Sequence, residues 1–493
     1  MTAGVITARH YVDGAWTDGG SDEWFESHST TDGALLCRAP VAGAATVDAA
    51  VGAARRAFAE SGWKERRAAE RAAVLLEAAD RLDAQAEEIA TLVAREMGKP
   101  FRLSLDREVR GAADKLRYFA GAARTIEGEV TGASPAHILD LSIPFPVGVC
   151  ALVIPWNDPV DLAVRKLGAA LAAGCSAVVK PSEETPASTE ALIRIFDALP
   201  GLPPGIVNMV HGPGDPTGEA LVSHPDVDKV SFTGSTATGR RIMRLAAETL
   251  KRVSLECGGK APCLVFADAY LEKCLDALSY GAFLYGGQSC TAATRIIVER
   301  SLHDEFVSSL VARAEALPAG DPLDPGTLLG PLVSERQVER VRSFLDGIAA
   351  DGGTIATGGG IDGLFVEPTV VTGVRPDARI ASEEVFGPVV CVFAADGEDE
   401  AIEIANGVRY GLGASVWTSD VSRALRVMRR LDAGDVWINT HYVRQSETPF
   451  GGWKESGLGR ELGMAGMREY LAYKRVAFDT LPDFHLKTWF ERG

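Results

Sequence analysis

The chain has 493 residues with 67 acidic against 50 basic side chains, a formal net charge of −17. That surplus repels phosphate backbones and anionic headgroups, which argues against nucleic acid or a membrane surface as a partner. With 46% apolar and 24% charged residues the chain reads as a soluble protein, too long for a single core and expected to form two or three domains.

The opening residues, MTAGVITARHYVDGAW, lack the apolar core of a signal peptide, and no apolar run approaches the roughly 20 residues of a bilayer span. A cytoplasmic location is the default expectation. Residues 43–129 are rich in Ala, Arg and Glu at helical spacing, as in ERAAVLLEAADRL, and predict several helices. A strand-like alternation follows in HILDLSIPF (137–145), then the apolar run GVCALV before Pro155. If Pro159 opens a helix, Asp158, Asp161, Leu162 and Arg165 share one of its faces, turned either to water or to a ligand.

From there short β-rich runs alternate with helical stretches. SAVVKP (176–181) precedes a helix near 186–198, GIVNMV (205–210) one near 215–223, and KVSFTG (229–234) one near 236–249. A second alternating region runs from about 261 to 440, with helices at 301–317 and 334–350. The pattern predicts an α/β fold with parallel sheets covered by helices. The stretch PAGDPLDPGTLLGP (318–331) reads as a surface loop. Eight cysteines form no C-x-x-C pair and no cluster with the eight histidines, so no metal is expected and most thiols should be buried and inert.

Four stretches can carry chemistry. In SFTGSTATGRRIM (231–243) a strand ends in a small-residue turn, where Gly234 and Ser235 could bring backbone N–H groups to a phosphate or simply make a tight βα turn. In VVKPSEETP (178–186), Lys180 and Glu183 could meet ribose hydroxyls, or Ser182 or Thr185 could serve only as an N-cap. In SLECGGKAPCLVF (254–266), Glu256 precedes Gly258 and Gly259 and could transfer protons or be an ordinary loop acid. In GAFLYGGQSCTAATR (281–295), glycines before Cys290 leave room for a ligand at the thiol, or the cysteine is one more buried thiol.

Taken together, in this order and spacing, with PWN upstream and EEVFGPV (383–389) and PFGGWKESGLGRELG (449–463) downstream, these stretches resemble the aldehyde dehydrogenase superfamily from about Tyr11 to about Lys474. The resemblance implies that Cys290 is the nucleophile, that Asn157 and the Cys290 N–H stabilise the oxyanion, and that Glu256 activates water to release a carboxylic acid. Lys166 and Glu461 match positions that support proton movement, or form a buried ion pair. Around the cofactor the matching positions are Ile154, Pro155 and Trp156, then Lys180, Ser182 and Glu183. Gly214, Gly218, Phe232, Gly234, Ser235 and Gly258 follow, with Glu384 and Phe386 at the nicotinamide end. A carboxylate at Glu183 accepts from a ribose hydroxyl but repels a 2′-phosphate, which favours NAD over NADP.

The implied fold is a doubly wound cofactor domain (1–123 and 146–258), a catalytic α/β domain (259–462), and a small β extension (124–145 and 463–493) that joins subunits into a homodimer or homotetramer. Departures from the family pattern include Tyr285 in place of asparagine, Cys257, Cys263 and HSTTDGALL. None removes a catalytic group.

For the substrate pocket the matching positions are Asp158, Asp161, Leu162 and Arg165, with Tyr285, Ser289, Thr291, Tyr442, Arg444 and Phe450. Succinate semialdehyde dehydrogenases resemble this chain in having arginine at the Arg165 position within a similar RKLGAALAAGC run. Arg165 and Arg444 are therefore expected to grip a carboxylate on a polar aldehyde such as a semialdehyde. In the opposing reading Asp158 and Asp161 neutralise these arginines and select an amino or hydroxy aldehyde. A protein that keeps the fold without turnover is the reading from a different class, and intact Cys290, Glu256 and Asn157 argue against it.

Overall fold

The computed structural model of the protein describes residues 4–481. Its centre is the strand Val149–Val153, whose sequence VCALV is apolar on both faces and buried almost throughout, as in a parallel strand covered on both sides. Ser176–Lys180 and Val207–Met209 pair in parallel on one side of it, Lys229–Thr233 and Arg252–Glu256 on the other. His10–Val12 and Ala15–Thr17 extend one edge of this sheet, and Gly457–Leu458 closes the other.

The register fixes where the site must lie. Val153 is level with Lys180 and Phe232, and Thr233 with Glu256. The loops after these strands therefore open on one edge. The chain direction of travel reverses at Val149–Val153, between its neighbours Ser176–Lys180 and Lys229–Thr233, which is where open α/β sheets leave a crevice.

A second sheet of seven strands contains Pro262–Val265, Arg295–Glu299, Val389–Ala395 and Gly413–Trp417 as its parallel centre. A third sheet pairs Ile138–Pro146 with Leu471–Asp479 in nine antiparallel steps, with Glu129–Val130 on the far side. Residues 482–493 of the expected extension lie outside the described residues.

The helix opened by Pro159 runs from Pro159 to Ala173 and ends at Gly174, whose φ of 94° admits the left-handed turn that stops it. All 15 of its residues are buried, because it lies under the helices Ala68–Ala84 and Arg110–Ala123. Its charged face is turned away from bulk water.

The other expected helices appear at Pro186–Asp197, Thr236–Ala247, His303–Glu315 and Glu335–Leu345, and the expected strand at Ile138–Pro146. The stretch 215–223 differs: a wide turn, Gly214–Gly218, precedes a helix of only Glu219–Ser223. Thr185 occupies the N-cap of Pro186–Asp197 without a side-chain cap bond. The capping comes instead from buried Glu96, whose oxygens accept from the Ala187 and Ser188 amides at 2.6 and 2.9 Å. Among the described residues no helix is long and apolar enough to cross a membrane.

Candidate active site

A cleft of about 570 Å³ opens at the common strand edge, between the first and second sheets. One wall is Ile154, Pro155, Trp156, Asn157 and Asp158, with Leu162 and Arg165 behind them on the buried helix. Lys180, Ser182, Glu183, Gly214, Phe232, Gly234 and Ser235 line the part over the first sheet. Glu256, Gly258, Cys290, Glu384, Phe386, Arg444 and Phe450 complete it. The four stretches singled out in the sequence thus meet in one space.

Cys290 is the only partly exposed cysteine; the other seven are buried. It follows a turn in which Tyr285, Gly286 and Gly287 are successively left-handed, with φ of 56°, 64° and 68°. Gln288 locks that turn, donating from Nε2 to the Tyr285 carbonyl at 3.0 Å and accepting from the Val333 amide at 3.0 Å. Gly259 lets the Cys290 carbonyl approach where any Cβ would overlap it. Burial pushes the Cys290 thiol up to about 12, partly countered by Arg444. Across the cleft the Asn157 side-chain amide donates to the Gln288 carbonyl at 3.3 Å, two residues before the cysteine.

Glu256 ends its strand with both carboxyl oxygens buried and without a hydrogen-bond partner. Burial, and then the nearby Glu461 carboxylate, hold its pKa well above the ordinary range, with Lys166 acting against them. Lys166 and Glu461 form a buried ion pair, and Lys166 Nζ also donates to Thr233 Oγ1 at 2.7 Å. Neither side chain of the pair lines the cleft, although Thr233 does.

Asp161 differs from expectation at the substrate end. The i, i+4 spacing on the helix brings Arg165 to it, with Nη2 at 2.6 Å and Nε at 2.8 Å, and Lys115 Nζ reaches its other oxygen at 2.8 Å. Burial opposes the Asp161 charge, but these two cations hold its carboxyl well below the usual range. It does not line the cleft. Arg165 lines the cleft, as expected of a substrate-pocket position, but already has Asp161 as its ion-pair partner, with Glu461 at 3.9 Å.

Asp161 thus pairs with Arg165 as the opposing reading has it, whereas Asp158 forms no ion pair with either arginine and its Oδ1 accepts from buried Lys99 at 2.6 Å. Arg444 has no ion-pair partner among the described residues, and its buried Nε has no hydrogen-bond partner. Its Nη2 donates to Thr291 Oγ1, and its guanidinium lies 4.6 Å from the Phe450 ring centre. Arg165 lies 5.4 Å from the same ring.

Tyr285, Ser289, Thr291 and Tyr442 stand behind the lining. Tyr285 carries Lys99 over its ring at 4.2 Å. Tyr442 has Arg444 and Arg107 at 5.4 and 5.7 Å from its ring. Arg107 was not read from the sequence, because nothing local distinguishes it from the surface arginines of residues 43–129.

The other end of the cleft suits a dinucleotide. Buried Lys180 spends two N–H groups on the Pro181 and Gly212 carbonyls, at 2.6 and 2.7 Å, which fixes its ammonium at the strand end, and burial lowers its pKa to about 8. Glu384 Oε1 accepts from the Gly259 amide at 2.8 Å, and a Cβ on Gly258 would meet Oε2 at 2.6 Å, so that glycine is what admits the carboxylate.

Trp156 and Phe386 meet edge to face, 5.3 Å between centres, and both line the cleft. Ser235 caps its helix, accepting from the Thr238 amide at 3.2 Å. Gly218 does not line the cleft but packs under Lys180. At Gly234 the Phe232 ring, 2.5 Å from an added Cβ, is what excludes a side chain.

Sequence reading missed Arg336, Gln337 and Arg340, which also line the cleft. Gln337 Nε2 donates to the Phe386 carbonyl at 2.8 Å and Arg340 Nε to that of Val385 at 3.2 Å. They hold Phe386 at its positive φ of 62°. Their signal is only the polar face of a helix, indistinguishable from a solvated one.

Comparison with known proteins agrees with this geometry. The model of the aldehyde dehydrogenase family matches residues 16–476. Human 2-aminomuconic semialdehyde dehydrogenase is 38% identical over 93% of this chain and 96% of its own. The 2-hydroxymuconic semialdehyde dehydrogenase of Pseudomonas sp. strain CF600 is 39% identical over 95% and 98%. Among solved structures, betaine aldehyde dehydrogenase from Staphylococcus aureus, in complex with NAD+, superposes with a TM-score of 0.95 at 35% identity, covering 99% of this chain and 97% of that one. A Bacillus cereus aldehyde dehydrogenase in its NAD+ complex gives 0.94 at 39% identity, covering 96% and 97%. The chain belongs to the aldehyde dehydrogenase family.

Proposed function

We propose that the protein oxidises a carboxylate-bearing aldehyde to the corresponding acid, with NAD as hydride acceptor and Cys290 as the covalent nucleophile. The observation that carries the reaction is the pairing, in one cleft, of the only accessible thiol with a buried carboxyl that has no other partner. The Cys290 thiol gives up its proton to solvent and its sulfur attacks the aldehyde carbon; the S–C bond forms and the carbonyl pair moves to oxygen, where Asn157 Nδ2 and the Cys290 N–H donate. Bound NAD supplies the acceptor for the hydride that leaves this carbon, and a thioester remains on Cys290. Glu256 then takes a proton from water, the water oxygen bonds to the acyl carbon, and the S–C bond breaks to release the acid.

For the cofactor, Lys180, Ser182 and Glu183 are offered as the adenosine-ribose contacts and Glu384 as the holder of the nicotinamide ribose, beside Phe386. Glu183 favours a free 2′-hydroxyl. Lys166 and Glu461 act as a buried charge pair that tunes Glu256, not as groups touching substrate.

For the substrate, Arg444 is the observation. It is a half-buried, cleft-lining cation that forms no ion pair among the described residues, with Asp435 acting on it only at longer range, and its buried Nε has no hydrogen-bond partner, so a substrate carboxylate would supply the missing acceptor. The semialdehyde activities named for the curated relatives point the same way. Succinate semialdehyde is expected to turn over better than aminobutyraldehyde or hexanal, and a clear preference for hexanal rejects the substrate assignment. Cys290→Ala should abolish NADH formation with every aldehyde; retained activity rejects the mechanism. The third sheet is offered as the surface that joins two copies, since Leu139, Ile143, Phe145, Tyr473 and Phe478 stand exposed on its two long strands.

A further inference from the structure

The two groups that would stabilise the oxyanion sit on different loops, and the structure braces those loops from behind through one buried cation. Lys99 follows Gly98, the left-handed residue that ends the helix Ala86–Met97, and its side chain is fully buried. Its ammonium pairs with Glu108 and donates to Asp158 at 2.6 Å, and it lies 4.2 Å from the ring centre of Tyr285. Burial works against its charge, but Asp158 and Glu108 more than offset this and its pKa lies above the ordinary value. Glu108 in turn accepts from the Val160 amide at 3.0 Å, in the first turn of the helix that begins after Asn157.

These contacts close a ring. Lys99 holds Asp158, the neighbour of Asn157. Asn157 donates to the Gln288 carbonyl, Gln288 donates to the Tyr285 carbonyl, and the Tyr285 ring returns to Lys99. None of these contacts involves bulk solvent: Lys99 and Glu108 have no exposed side-chain surface, and Asp158 and Tyr285 have little. Lys99 and Glu108 lie outside the cleft lining, so they act only through others.

We infer that Lys99, clamped by Glu108, is a positioning residue that sets the spacing of Asn157 and Cys290 for the oxyanion. The inference rests on the proposed role of Asn157. It also accounts for Tyr285: an aromatic ring there gives the cation a face to rest on and ties the cysteine loop to the same point.

The test is a double-mutant cycle on the full-length protein with NAD and aldehyde in excess. Lys99→Met should lower kcat at least about tenfold with KM little changed, and Lys99→Arg should restore part of it. In an Asn157→Ala background the same change should cost less than about twofold, because the spacing no longer matters. Alkylation of Cys290 by iodoacetamide, which forms the S–C bond and expels iodide without an oxyanion, should stay within about twofold of wild type.

Effects that multiply across the cycle, an unchanged kcat, or alkylation slowed in step with turnover each overturn the inference. An Asn157→Ala enzyme that keeps full kcat instead removes the oxyanion reading, and the inference with it. Should Lys99→Met fail to fold, Tyr285→Leu breaks the ring without stranding a charge and is read by the same cycle.

Discussion

At the scale of single residues, the electrostatics of Glu256 set the expected pH behaviour. To take a proton from water it must be ionised, and burial beside Glu461 raises its pKa well above the usual carboxylate range. Deacylation should therefore fail as pH falls through that raised value, at a higher pH than an exposed glutamate would give. A pH profile of single-turnover deacylation in the wild type should show this acid limb, and Glu256→Gln should lack it while losing roughly 10²- to 10⁴-fold in rate.

In the proposed function Arg444 carries the selectivity. Arg444→Met should raise KM for succinate semialdehyde at least about tenfold, roughly the contribution of one charge-assisted pair, and leave hexanal within about twofold. Equal effects on both aldehydes would falsify its role. That Cys290, Glu256 and Asn157 meet in one cleft was legible in the sequence because motif spacing survives without knowledge of packing. The state of Asp158, Asp161 and Arg165 was not, because their partners, Lys99 just after Ala86–Met97 and Lys115 on Arg110–Ala123, come from far earlier in the chain.

At the scale of elements, the βα alternation could be read because each strand is a short β-rich run between turn residues. The Pro159 helix start and Gly174 stop follow rules of one residue each. What escaped was capping at long range. Glu96 satisfies two first-turn amides of Pro186–Asp197 from another helix, so the local candidates Ser182 and Thr185 gave no guide. Glu96→Ala leaves both amides buried and unpaired, and should cost about 2–4 kcal/mol. Denaturant unfolding monitored by circular dichroism would measure this; a loss below about 0.5 kcal/mol would show that the helix finds other acceptors.

At the scale of the molecule, two sheets meet at their open edges and a third stands apart with apolar side chains in solvent. Light scattering on the full-length protein should give a dimer or a larger closed assembly, and Phe145→Asp with Phe478→Asp should shift it toward monomer. A wild-type monomer at micromolar concentration would leave that sheet face unexplained. The family fold was legible as a whole because residues that meet in the cleft keep their order along the chain. The cleft's floor and supports were not, since Arg336, Gln337, Arg340 and Arg107 acquire meaning only when the second sheet closes over the first.

The central claim is that the substrate is oxidised while bound to Cys290 and released by Glu256. Mixing Glu256→Gln with NAD and succinate semialdehyde should give a burst of one NADH per subunit and then near arrest. Intact-mass and peptide analysis should find the succinyl group on Cys290. Steady NADH release without a burst, or an acyl group on any other residue, would contradict the account.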